Sequence, residues 1–545
     1  MSTYQGNDSQ PSHIVADILI VGGGFGGCYA LHQMRALGYT VKLLEAGSDF
    51  GGVWHFNKYP GARVDSETPL YQLSLHNAWR SFNFQERFPG HMEIRNYFAH
   101  LAEALDLRKD AVFNARVVES TFSADSNTWT LRTNNGLTAT SRYVVFATGT
   151  TNKPYIPAFP GIHEFAGTVI HPAAWPTELD VTGKTIGVVG QGASGLQIVQ
   201  ELGKKPCNLT VFVRNPPTAL PMRQRSLGHD ESEHMKTSYD ALFFHAKYRH
   251  ESGYSYSSFE DSFNDATPEE RRQRYEELWE RGTYGILTSN YPEHTYDRVA
   301  NSELYQFWAE KTRERISDPR KRDIMAPLEQ FQWIGAKRPN LEMDYYEIID
   351  QSNVELVDLK TSPIKEFVRD GVVTSDNHFH PLDIVVVATG YDSVTGSLYE
   401  MNVTDSRGET LQQKWKEGIS TYLGMLIPDV PNAFLLYGPQ APSGLTNGPP
   451  FLELQVEWLV KFLNKIELEG VVTVKPSHDA AKDYKRKNME IYNKSFLSET
   501  PSWWNGSNIP GTNQEPLFWV GGLQAWRLES LKALQDWSHF DITRD

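Results

Sequence analysis

The dominant pattern along this chain is a set of short, unbroken apolar runs that end on glycine. Residues 16–21 (ADILIV) form such a run, and one of that length stopped by a turn predicts a strand buried on both faces. It passes straight into Gly22-Gly-Gly-Phe-Gly-Gly27, after which residues 28–37 carry a helical pattern. A second run at 40–44 (TVKLL) closes on Glu45, 23 residues beyond Gly22. The same order returns later. Residues 185–189 (TIGVV) lead into Gly190-Gln-Gly-Ala-Ser-Gly195, then a helical stretch 196–202 and a strand 209–213, which ends on Arg214, 24 residues beyond Gly190. Each unit has a later apolar run closing on Ala-Thr-Gly, at 143–149 and at 384–390.

Two strand–glycine turn–helix units in one chain predict an α/β fold with two Rossmann-like dinucleotide-binding domains. Between them, residues 226–323 change in character, with dense charge and aromatics. There Thr267-Pro268-Glu269-Glu270 supplies an N-cap, a proline at the first helical position and a capping-box acid, so a helix is expected to run to Arg281 and stop at Gly282. The domain division that follows gives residues 1–150 and 384–545 to an FAD-binding domain. Residues 151–222 and 330–383 go to an NADP-binding domain, and 223–329 to a helical insertion within it. Near the C-terminal end, residues 451–466 read as a helix and 503–511 as a Trp- and Gly-rich segment.

Composition narrows the function classes. The 545 residues carry a formal charge of −15, which repels a phosphate backbone and argues against nucleic acid. With only two cysteines, Cys28 and Cys207, neither a disulfide framework nor a Cys-rich metal site is expected, and no metal ligand set stands out. No apolar run approaches the roughly 18 residues a membrane span needs, and the polar first fourteen residues lack the form of a signal peptide. A soluble, cytoplasmic protein is the expectation; the composition says nothing of its oligomeric state.

The chemistry lies at the two turns. In each, the first two glycines (Gly22 and Gly24; Gly190 and Gly192) permit a tight bend and close approach of a pyrophosphate. The third, Gly27 or Gly195, belongs to the same cofactor-binding set, as does Ser194 at the start of the second helix. Glu45 stands where a carboxylate accepts from ribose hydroxyls, which suits FAD. Arg214 would oppose a 2′-phosphate, which suits NADPH over NADH. A flavin and a nicotinamide in one chain imply hydride transfer between them. A disulfide reductase is closed off by the separation of the two cysteines, leaving oxygen, a quinone or an organic acceptor.

Four segments carry a family resemblance. Phe165-Ala-Gly-Thr-Val-Ile-His171-Pro-Ala-Ala-Trp175-Pro176, just before the second turn, resembles the FxGxxxHxxxW(P/D) fingerprint of type I Baeyer–Villiger monooxygenases. Gly51-Gly52-Val53-Trp54 with Tyr59-Pro-Gly-Ala-Arg63-Val-Asp65 resembles that family's flavin-side segment. Ile334-Gly-Ala-Lys337-Arg338-Pro339 resembles its KRP segment, and Trp503-Trp504-Asn-Gly-Ser-Asn-Ile-Pro-Gly511 its C-terminal segment. The resemblance runs from about residue 16 to 522. It implies NADPH-driven oxidation of a ketone by O2 to an ester or lactone through a C4a-peroxyflavin. It makes Arg338 the catalytic arginine and Asp65 the carboxylate that orients it. It places Lys337 with Arg214 on the 2′-phosphate and Trp503 over the nicotinamide nucleotide. Val53, Trp54, Asp65, Tyr71 and Val117 complete the flavin-side candidates. His171 reads as a linker residue holding two domains in register, with a satisfied interior histidine as the other reading.

The sequence departs from the family at His55-Phe56 and at Thr512, where lysine is commoner, and residues 443–451 hold a loop that in the family lines the substrate site. An enzyme transferring oxygen to nitrogen or sulfur is the alternative, with Trp175-Pro176 against it. A non-catalytic flavin- and NADP-binding module is a third reading, opposed by the presence of both Arg338 and Asp65.

Overall fold

A computed structural model describes residues 12–544. The polar stretch read above as no leader therefore lies almost entirely outside the described residues. The chain opens on β1 (His13–Val21), and β2 (Val41–Leu44), β3 (Ala111–Val112), β4 (Val117–Ser123), β5 (Thr128–Thr133) and β6 (Thr138–Phe146) build a sheet in the order β3-β2-β1-β6-β5-β4. The β1, β2, β3 and β6 pairings are parallel, and β4, β5 and β6 continue as antiparallel strands. β6 starts earlier than its apolar run predicts. Its first half alternates between buried and half-buried residues where it pairs with β5, and only Tyr143–Phe146 is buried on both faces.

The second sheet takes β7 (Thr168–Ile170), β8 (Thr185–Val189) and β9 (Asn208–Val213), and a short parallel pair of β10 (Leu220–Pro221) with β11 (Leu341–Glu342) lies beside it. The chain continues through β12 (Val354–Asp358), the hairpin strands β13 (Ile364–Val368), β14 (Gly371–Thr374) and β15 (Phe379–Pro381), and then β16 (Ile384–Val387). The second sheet is ordered β12-β9-β8-β16-β7, all parallel. This corrects one boundary. Residues 384–387 were assigned to the first domain, yet β16 pairs with β8 and β7, because its four buried apolar residues fill the slot between them. The chain crosses back only after Gly390, and β17 (Ala433–Leu435) then pairs with β6.

Helices follow both turns, Phe25–Ala36 and Ala193–Leu202, each starting three residues before the helical pattern in the sequence begins. The helix Pro268–Arg281 has the expected limits. Thr267 accepts from the Glu270 backbone, Glu270 returns a bond to the Thr267 backbone, and Gly282 ends it at φ 72°. The helical insertion also reaches the first unit. On its helix Tyr239–Tyr248, Lys247 pairs at 3.0 Å with the buried Glu453 of helix Gly448–Leu468, and Glu453 also accepts from the Ser74 backbone and hydroxyl at 2.5 Å each. Within the described residues no helix is long and apolar enough to cross a membrane.

Candidate functional site

Both glycine turns open onto one cavity of about 1810 Å³. Pockets for a single small ligand run to about 300–1,000 Å³, so this space exceeds one such ligand. In each turn the first glycine is left-handed, Gly22 at φ 108° and Gly190 at φ 98°. A side chain at Gly27 or Gly195 would collide with the carbonyl oxygen of Gly22 or Gly190 respectively. Gly27 and Gly195, expected from the sequence to be cofactor-binding, therefore do not line the cavity; they let each helix close onto its strand. The helices after the turns start on Gly24 and Gly192 with no side-chain cap and no acid in the first turn. Uncapped N–H groups at a helix start favour an anion, so this backbone fits two pyrophosphates.

Beyond the glycines the two turns differ. Glu45 is buried, accepting from Gly23 N at 2.5 Å and from Gly47 N at 2.6 Å. Burial raises its carboxyl above the ordinary value, partly offset by those backbone bonds. Arg214 is exposed and, among the described residues, has no ion pair. Lys337 also lacks an acidic partner, and burial, Arg214 and Lys360 together lower its ammonium below 10.5. Arg214 and Lys337, both on the cavity wall and without an acidic partner among the described residues, fit a phosphate. Lys360 also bears on Lys337 but does not line the cavity.

Arg338 stands on the cavity wall with its guanidinium paired bidentately to Asp65, Nε to Oδ2 at 2.7 Å and Nη2 to Oδ1 at 2.9 Å. Nη2 also donates to the Tyr254 hydroxyl at 3.2 Å and Nη1 to the Gly444 carbonyl at 3.3 Å, while the guanidinium lies 5.1 Å from the centre of the Tyr284 ring. The Tyr284 hydroxyl donates to Asp65 Oδ2 at 2.7 Å. Burial pushes the Asp65 carboxyl up, but Arg338 and its hydrogen bonds, with Tyr284, outweigh it and hold the group below its usual range. Burial acts against the Arg338 charge too, and Asp65 reverses that, so the guanidinium stays cationic. Tyr254, Tyr284 and Gly444 complete this network; Gly444 lies in the loop at 443–451 singled out in the sequence, whereas no motif marked Tyr254 or Tyr284.

The remaining candidates also meet here. Val53, Trp54, Tyr71, Val117, Ser194 and Trp503 line the same cavity. Trp54 Nε1 donates to the Tyr71 hydroxyl at 3.0 Å. Ser443, Gly444, Thr446 and Gly448 of the loop at 443–451 line it as well. Thr512 does not; its hydroxyl bonds back onto the Gly506 and Ile509 carbonyls and ties its own loop. His171 is buried, accepts from Ala173 N at Nδ1 (3.2 Å) and so donates from Nε2 to the Gly390 carbonyl at 3.0 Å. It grips the point where the chain crosses between sheets.

Comparison with known proteins agrees with this geometry. The family model of flavin-binding monooxygenase-like proteins matches residues 15–221. An FAD-binding monooxygenase of Aspergillus aculeatus is 37% identical over 98% of this chain and 90% of its own length. A cyclopentanone 1,2-monooxygenase of a Comamonas species is 35% identical over 94% of this chain and 92% of its own. The solved structure of a Rhodococcus cyclohexanone monooxygenase bound to NADP⁺ superposes with a TM-score of 0.93 at 30% identity, over 98% of this chain and 100% of that one.

Proposed function

The chain belongs to the type I Baeyer–Villiger monooxygenases, FAD- and NADPH-dependent enzymes that oxidise ketones to esters or lactones, and from that premise we propose the part each of its residues plays. When bound, FAD and NADPH together supply hydride transfer and the activation of oxygen.

Arg338 is the fixed cation of the reaction. A guanidinium keeps its charge at any working pH, and a preorganised cation stabilises negative charge where it develops. Asp65 orients Arg338 through two parallel bonds, leaving Nη1 directed at Gly444 on the cavity wall. Tyr284 holds Asp65 in turn. Glu45 takes the FAD ribose, and its oxygens retain accepting capacity beyond the two backbone bonds they already hold. Arg214 and Lys337 bind the 2′-phosphate of NADPH, and Trp503 covers the nicotinamide side of the cavity. Val53, Trp54, Tyr71 and Val117 line the flavin's place, and Ser194 the second pyrophosphate's. Molecular oxygen is the co-substrate. The two free buried cysteines suit a reducing cytoplasm.

The observation that carries this reading is the bidentate Arg338–Asp65 pair on a cavity shared by both turns. To test it, purified FAD-loaded protein is given NADPH and a panel of linear and cyclic ketones, and ester or lactone is sought by mass. Products from at least one ketone class are expected; NADPH consumption with no oxygen inserted into any ketone, alongside efficient amine or sulfide oxidation, would favour the nitrogen- or sulfur-oxygenating alternative.

A further inference from the structure

On the outer edge of the second sheet, away from every residue given a part above, Glu355 of β12, His380 of β15 and His378 just before that strand converge, with one ligand atom from each lying within 4.8 Å of the others. Sequence spacing did not show the group, because Glu355 and the two histidines come from separate segments.

The hydrogen bonds around His380 fix its tautomer. Its side chain is only 4% exposed, and its Nε2 lies 3.3 Å from the Thr374 hydroxyl. That hydroxyl gives its own proton to Asp376 Oδ1 at 2.7 Å. The Thr374 oxygen must then accept, and Nε2 carries the imidazole proton. The bare Nδ1 is left buried with no hydrogen-bond partner, 3.3 Å from Glu355 Oε1.

Two lone-pair atoms thus face each other at the separation that two ligands have across a tetrahedral metal, about 3.3 Å for bonds of about 2.0–2.1 Å. Nδ1 of the buried His380 ring is one of the two. His378 stands beside it, ring centres 4.6 Å apart, and Asp376 also accepts from the His378 backbone at 3.1 Å. A carboxylate or hydroxyl backing a ligating histidine is the usual outer support of such sites.

We propose that Glu355, His378 and His380 form a site for a zinc-class divalent cation, two imidazoles and one carboxylate with a fourth position for water. The ion joins the edge strand β12 to the β13–β15 hairpin. His380 packs edge-on against Phe212 of β9, 5.5 Å between ring centres, so the ion stiffens the sheet that carries the second turn.

The test uses the FAD-loaded protein, cleared of bound metal with a chelator and titrated with Co²⁺ and then Zn²⁺. One Co²⁺ per chain with tetrahedral visible absorption is expected, displaced by Zn²⁺, with thermal unfolding moved upward. Glu355→Gln and the exposed His378→Ala should each weaken binding at least about tenfold, and Thr374→Val should do so by about 10- to 100-fold through the lost support of His380. NADPH oxidation should be unchanged in Glu355→Gln and His378→Ala. Absence of chelator-reversible binding, or binding that Glu355→Gln and His378→Ala leave untouched, overturns the proposal.

Discussion

The two glycine turns share a backbone but treat charge in opposite ways. At the first, the acid Glu45 is buried and both its oxygens are engaged by the backbone of its own unit. At the second, Arg214 is exposed, and Lys337 comes from a distant part of the chain with no acidic partner. The first site is finished by the fold alone. The second holds two cations, Arg214 and Lys337, on the cavity wall for a bound anion to neutralise. The contrast teaches that a ribose carboxylate can be part of the structure, whereas a phosphate site must keep its cations unsatisfied.

Substitution of the packing glycines removes the likeness and has the largest expected effect. Gly27→Ala or Gly195→Ala drives a methyl into the carbonyl of its own turn, at a cost of about 1–3 kcal/mol or more. Thermal unfolding should show both, equally in the two units. Gly192→Ala meets nothing and should leave stability alone while weakening NADPH binding. The charged residues then separate the turns. Glu45→Ala strands two buried N–H groups at about 1–3 kcal/mol each, so stability and flavin retention should fall together. Arg214→Ala should change stability by less than about 0.5 kcal/mol, yet raise KM for NADPH about 10- to 100-fold with little change for NADH. A KM unchanged for both nucleotides would remove Arg214 from the phosphate site.

The smallest effect is one of pH. Lys337 has its folded pKa below 10.5, so as pH rises it loses its proton before an ordinary lysine does. KM for NADPH should climb on the alkaline side before that value, KM for NADH should not, and Lys337→Met should flatten the difference. Between the two pKa values the unfolded chain holds more protons, so the same residue makes stability rise with pH there.

Much of this was legible in the sequence. Both strand–turn–helix units and the helix from Pro268 to Arg281 follow from local patterns, because glycine turns, capping boxes and buried strands are set by neighbours in the chain, whereas Arg338, Asp65, Lys337 and Trp503 were marked only by the family resemblance. The run at 384–390 was matched to the second unit, but the domain boundary was drawn before it, because the sequence does not show on which side of the strand the chain crosses. Tyr254 and Tyr284 left no mark, since each gains its role from a contact across the fold. The same holds for Glu355 and the two histidines.

The central claim is that Arg338, locked by Asp65, serves oxygen insertion and not flavin reduction. Flavin bleaching by NADPH without oxygen, and ester formed per NADPH with oxygen and a ketone, should therefore be measured side by side in Arg338→Lys and Arg338→Met. The account predicts bleaching within a few-fold of the parent and ester down by at least about 100-fold, with hydrogen peroxide in its place. Ester yield close to the parent's, or loss of bleaching along with it, would contradict the account.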